Sequence, residues 1–218
     1  MSASERPRAI LTHLDLPVAF TLVGLVFAFL CLVFAMSGQL LLALVMLALA
    51  GLVDFFDGWV ARKCHPGGVR TTLSSRLDAV VDVCSFGMAP AALGVAFGLD
   101  GPLEVAVLAL YLSANALRLA YFSTVSHGVI EGKRFYLGMP VTYVALALPW
   151  AYLGTLVWPR AVMEPVLLAI YGILAALMVS SLRFMKPGGI WYGILTAIGL
   201  VPVGVYLWAL AVGRAPWA

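Results

Sequence analysis

The chain has 218 residues, of which 63% are hydrophobic and only 11% charged, with a formal net charge of +3. Soluble globular domains run near half apolar and a quarter charged, so this composition, with a mean hydropathy of +1.05, excludes a soluble fold, a disordered chain and a disulfide scaffold. It describes an all-α, polytopic transmembrane helix bundle, and so small a positive charge suits loops near anionic lipid, with no nucleic acid as partner.

Apolar stretches of about 20 residues span a bilayer core. Seven occur in chain order, at 16–36, 39–61, 79–99, 103–123, 138–158, 161–182 and 190–212. Residues 1–15 precede them as a polar juxtamembrane segment without a small-residue cleavage site, which reads as retained. Short turns at 37–39, 100–102 and 158–160 alternate with longer, basic connections at 62–78, 124–137 and 183–189. Eleven basic residues fall on the side of the longer connections, from Arg6 and Arg8 through Arg62, Lys63, Arg70, Arg76, Arg118, Lys133 and Arg134 to Arg183 and Lys186, against Arg160 and Arg214 on the other. Because cytoplasmic loops collect Lys and Arg, the expected orientation places the N-terminus and the basic loops in the cytoplasm. Gly94 and Gly98 form a GxxxG in the third span, expected at a helix contact.

Four of the ten acidic residues lie in or at the ends of apolar spans: Asp54 and Asp57 in the second, Asp78 and Asp82 at the head of the third. Each carboxylate costs on the order of 2.5–3.5 kcal/mol at a helix centre on insertion scales. Spacings of three and four residues put each pair on one helix face. Gly58 and Ala61 continue the first face, leaving a groove nearly free of side chains beside the acids. With a rise of about 1.5 Å per residue, Asp54 lies roughly 22 Å into a core about 30 Å thick, and Asp82 about one turn deep from the other end. Both pairs therefore gather in the cytoplasmic third of the membrane. Converging carboxylates oppose one another's ionisation, and three arrangements relieve that. They can hold hard divalent cations that keep positions open for phosphates, pair with Arg62, Arg76 or Arg118, or line an ion or proton pathway.

The run Asp54-Phe55-Phe56-Asp57-Gly58-Trp59-Val60-Ala61-Arg62, followed by Asp78-Ala79-Val80-Val81-Asp82, resembles the signature of the CDP-alcohol phosphotransferase family, D-x-x-D-G-x-x-A-R, a loop, then G-x-x-x-D-x-x-x-D; seven of the eight defining positions match. The chain departs at Ser74, where the family has glycine, and in a loop longer than the family's. The flanking Leu77–Ala91, Ala116–Phe122, Gly138–Thr142 and Leu177–Phe184 resemble the phosphatidylserine synthase branch in the same order. The likeness covers 16–186, so residues 187–218 are expected to be an additional helix and tail beyond a six-helix core.

This resemblance implies an enzyme, a homodimer in the membrane with its active site facing the cytoplasm, that transfers a phosphatidyl group from CDP-diacylglycerol to an alcohol and releases CMP. It implies that Asp54, Asp57, Asp78 and Asp82 hold one or two Mg²⁺ or Mn²⁺ ions and that Asp82 is also the general base. Gly58, Ala61, Arg62 and Ser74 would adjoin the nucleotide. Arg118 and Arg134 are candidates for anionic groups of the substrates. The branch favours serine as acceptor. Glycerol 3-phosphate, an inositol phosphate or choline would serve the same reaction, and the donor could carry archaeal ether lipid. An ion-coupled transporter would use the same carboxylates differently.

Overall fold

The computed structural model describes residues 16–64, 72–124, 129–130, 133–185 and 190–213. Its helices are α1 (Leu16–Met36), α2 (Leu40–Cys64), α3 (Thr72–Asp82), α4 (Ala89–Phe97), α5 (Pro102–Thr124), α6 (Val144–Tyr152), α7 (Arg160–Val179) and α8 (Ile190–Ala211). Among the described residues five helices are long and apolar enough to cross a membrane, and Leu40–Phe56 and Val141–Leu156 are shorter apolar helical stretches. The chain is a polytopic helical membrane protein.

Packing follows small residues. The buried stripe of α1, Val18, Thr21, Gly24, Ala28, Cys31 and Ala35, recurs at three- and four-residue intervals and lies against α2. Where no hydrophobic force separates helix from lipid, small side chains bring backbones close enough for dispersion to hold them. α2 and α6 also cross closely. A Cβ on Gly51 would stand 2.3 Å from the Ala145 Cβ, so this crossing exists only because Gly51 has no side chain.

The third span differs from its expected form. The helix begins at Thr72, so Asp78 and Asp82 lie well inside it and not at its head. Its first turns, Thr72 to Arg76, are mostly polar, which hides the start of the helix from an apolar pattern. After Asp82 the helix widens into a π-turn (Val83–Met88), closed by the Ala89 N–H bonding back to the Cys84 carbonyl, and α4 follows. Gly94 is a helix contact, since a Cβ there would meet Leu108 and Tyr171, but Gly98 is not part of a GxxxG face. It caps α4 at φ +116° in the left-handed region, donating to the carbonyls of Gly94 and Val95.

Prolines would leave carbonyls unmet in this medium, where each costs several kcal/mol. Neighbouring aromatics meet them. Pro90 cannot bond the Phe86 carbonyl, which instead accepts from the Tyr111 hydroxyl on α5. Pro202 cannot bond the Ile198 carbonyl, which accepts from the Trp150 indole at 3.0 Å. Where α6 tightens into a 3₁₀ turn (Leu153–Leu156), the Leu153 N–H bonds Trp150 and Ala151, and the Pro149 carbonyl accepts from Tyr206 on α8. Tyr111, Tyr171, Tyr152 and Tyr206 are among the largest fully buried side chains, and each hydroxyl has a partner.

Two connections pair as a small sheet in the order β1 (Val129–Ile130), β2 (Lys133–Leu137), β3 (Arg183–Met185), all antiparallel. Phe135 opposes Met185 and Leu137 opposes Arg183, so the segment before α6 is tied to the segment before α8. Gly138, at φ +73°, lets the chain turn out of β2; a Cβ there would lie 2.4 Å from the Met178 carbonyl oxygen.

Gly51→Val is expected to lower the thermal midpoint of the detergent-solubilised protein, at an overpacking cost of about 1–3 kcal/mol. Gly204→Ala, where nothing lies within 4 Å, serves as the neutral control.

Candidate active site

The site begins at the same crossing. One turn along α2 from Gly51 stands Asp54, and one turn back along the opposing segment from Ala145 stands Thr142, in the 3₁₀ turn Val141–Tyr143 that opens α6. Backbones held that close let a short side chain span the gap. The Thr142 Oγ1–H donates to Asp54 Oδ2 at 2.9 Å, which fixes the rotation of the carboxylate.

Asp78 and Asp82, four apart on α3, share one face, and that face meets Asp54. An oxygen from each of the three carboxylates lies within 4.8 Å of the others, all half-buried. Hard oxygen donors gathered from two helices are the donor set a divalent cation takes. Acids drawn from separate spans would not approach so closely for packing alone, because the mutual repulsion is strong in a medium of low dielectric.

The other sequence candidates fall in three groups. Ser74 is buried on α3, four residues before Asp78 and on its face. Arg118 on α5 is also buried, at 8% exposure, with its guanidinium 4.4 Å above the Phe122 ring centroid; a snorkelling arginine would reach the surface, and this one does not. For Asp57, Gly58, Ala61 and Arg62 the backbone continues α2, and for Arg134 it lies in β2 opposite Val129; their side chains are outside the described ones.

Thr142 is a site residue that acidic and basic patterns do not single out. The available signal was its position two residues after Pro140, where a helix must begin. Around the site, the Phe55 ring on α2 lies 4.8 Å from Tyr192 at the start of α8, so the last helix closes one side. An apolar cavity of about 520 Å³ opens between α6 and α8, lined by Met139, Tyr143, Leu146, Trp150, Trp191 and Leu195 among others. Its lining includes Tyr143, next to Thr142 in the chain.

Comparison with known proteins agrees with this geometry. The archaetidylserine synthase of Methanothermobacter thermautotrophicus is 28% identical over 183 residues, covering 84% of this chain and 74% of that protein. The CDP-diacylglycerol–serine O-phosphatidyltransferase of Saccharomyces cerevisiae is 33% identical over 105 residues, 45% of this chain and 37% of its own. The protein of the same description from Methanocaldococcus jannaschii is 36% identical over 95 residues, 44% and 42% respectively. The matches to these two serine phosphatidyltransferases thus span less than half of either partner. The family model for CDP-alcohol phosphatidyltransferase matches residues 14–212, from the start of α1 to the end of α8. A match over that length assigns the chain, which belongs to the CDP-alcohol phosphatidyltransferase family of membrane enzymes.

Proposed function

We propose that this enzyme transfers a phosphatidyl group from CDP-diacylglycerol, or its ether-lipid counterpart, to L-serine, releasing CMP on the cytoplasmic side. The observation that carries the reaction is the meeting of Asp54, Asp78 and Asp82 within 4.8 Å. Serine is supported by the relatives, whose names specify archaetidylserine or serine phosphatidyl transfer.

Asp54 and Asp78, with Asp57 from the same face of α2 and Asp82 as a further ligand, would hold one or two Mg²⁺ or Mn²⁺ ions. The three described carboxylates fit that group in number, hardness and approach. When bound, such ions neutralise charge on the diphosphate and on the departing CMP. Thr142 keeps Asp54 turned toward its neighbours. Asp82 takes the proton of the serine hydroxyl as its oxygen bonds to the phosphorus carrying the diacylglycerol and the bond from that phosphorus to CMP breaks. Gly58 and Ala61 would leave space on α2 for the nucleotide, Arg62 and Arg134 would bind phosphate oxygens, and Ser74 takes the position of the family glycine four residues before Asp78. Buried Arg118 supplies a cation within the bundle. The cavity between α6 and α8 is apolar, as an acyl chain of the donor requires.

Purified enzyme in lipid nanodiscs with CDP-diacylglycerol, Mn²⁺ or Mg²⁺ and labelled acceptors is expected to release CMP with serine. Release with glycerol 3-phosphate alone would overturn the serine assignment, and no release with any acceptor would overturn the reaction. Asp82→Asn is expected to lower kcat by about 10²–10⁴, the usual contribution of a positioned base, while CDP-diacylglycerol still binds; retained turnover would move the base elsewhere. Thr142→Val is expected to raise the Mn²⁺ concentration for half-maximal activity by about 10–100-fold, the usual cost of losing a group that orients a ligand, with Thr142→Ser near wild type.

A further inference from the structure

Asn115 lies on α5, one turn after Tyr111 and one turn before Arg118, on the face that packs against the π-turn. It is completely buried, and among the described residues neither its Oδ1 nor its Nδ2 has a hydrogen-bond partner. Ser85, inside the π-turn, is 1% exposed, and its Oγ is likewise without one. The two elements touch at Gly87, where a Cβ would lie 3.0 Å from Asn115 Oδ1; glycine leaves the room that the amide fills.

Tyr111 makes the contrast. On the same face of the same helix it is buried too, yet it donates to the Phe86 carbonyl. Asn115 has no such explanation. An amide and a hydroxyl buried unmet in a low-dielectric interior are a standing cost, and groups of that kind mark places where something else supplies the bonds. Their location narrows what it is. Ser85 follows Asp82 by three residues, within the π-turn that continues α3, and Asn115 meets that same turn at Gly87, so both groups belong to the segment that runs on into the bundle from the carboxylate that takes the acceptor's proton.

We propose that Asn115 and Ser85 form the subsite for the polar end of the acceptor, an amino-acid zwitterion. Oδ1 of Asn115 accepts from the ammonium, while its Nδ2 and the Ser85 hydroxyl donate to the carboxylate. This inference rests on the serine assignment above. A neutral amide and a neutral hydroxyl complement a ligand group of zero net charge. The three atoms offer one acceptor and two donors, the complement of one ammonium and one carboxylate.

The test compares Asn115→Leu, similar in volume and without polar atoms, and Ser85→Ala with wild type. Steady-state kinetics are measured separately in serine and in CDP-diacylglycerol, alongside the thermal midpoint in detergent. The expected result is a KM for serine raised about tenfold or more in each variant, as for loss of a bond to a charged group, a KM for CDP-diacylglycerol within about twofold, and a thermal midpoint unchanged or higher because an unmet polar group is gone. Should Asn115→Leu fail to fold, Ser85→Ala, which removes a single oxygen, decides alone. Serine turnover in wild type with an unchanged KM for serine in the variants overturns the subsite and leaves the serine assignment standing, as does a loss confined to kcat with a lowered thermal midpoint. Absence of serine turnover in wild type overturns the assignment and the subsite together.

Discussion

Within a bilayer no water is at hand to satisfy a peptide group, and this requirement organises the molecule from its backbone outward. Prolines lie inside α6, α7 and α8 and at the start of α4 behind the π-turn, and each withholds a donor from the preceding turn. Hydroxyls and an indole from neighbouring helices take up carbonyls left at Phe86, Pro149 and Ile198. Each such bond is worth only about 0.5–1.5 kcal/mol net in ordinary circumstances, but each joins one helix to another at a set height. The bond from Tyr111 fixes α5 against the π-turn, and the π-turn sets how α3 presents Asp78 and Asp82. The bonds from Trp150 and Tyr206 hold α8 to α6, and α6 carries the residue that orients Asp54. Catalytic geometry here follows from backbone hygiene.

The parts of this arrangement that were legible in the sequence are those governed by local period or by length. Hydropathy located the spans to within a few residues except where a helix starts in polar sequence, as α3 does at Thr72. The interval of four between Asp78 and Asp82 predicted a common face, and both meet Asp54; the matching expectation for Asp57 lies outside the described side chains. What the sequence withheld is set by contacts between distant residues. The bond from Thr142 to Asp54 crosses 88 positions, and the sequence around Thr142 marks a helix start without naming that partner. Gly98 stands four after Gly94, a spacing that suggests a packing stripe, yet its role is decided by the end of α4 at that residue. The pairing of β2 with β3 is likewise a property of two connections that only the fold brings together.

The π-turn deserves comparison with the regular helix that hydropathy alone would draw. Extra backbone inserted after Asp82 changes which residues of the third span face α5, bringing Phe86 and Gly87 onto Tyr111 and Asn115. Such turns accumulate where function needs a side chain rotated out of the regular series. Three features around the site, the close crossing at Gly51, the widened turn at 83–88 and the 3₁₀ start of α6, are thus departures from ideal helix packing.

The reach of the Thr142 to Asp54 bond has a bearing on how the protein is made. At about 5–20 residues per second, a separation of 88 residues means that α2 emerges with its aspartate roughly 4–18 s before this partner exists. During that interval α1, whose small-residue stripe already matches α2, is the neighbour at hand. A hairpin of two tightly fitted helices can keep an acidic residue in place until the rest of the bundle arrives, so the tight seam between the first two helices serves the nascent chain as well as the finished one.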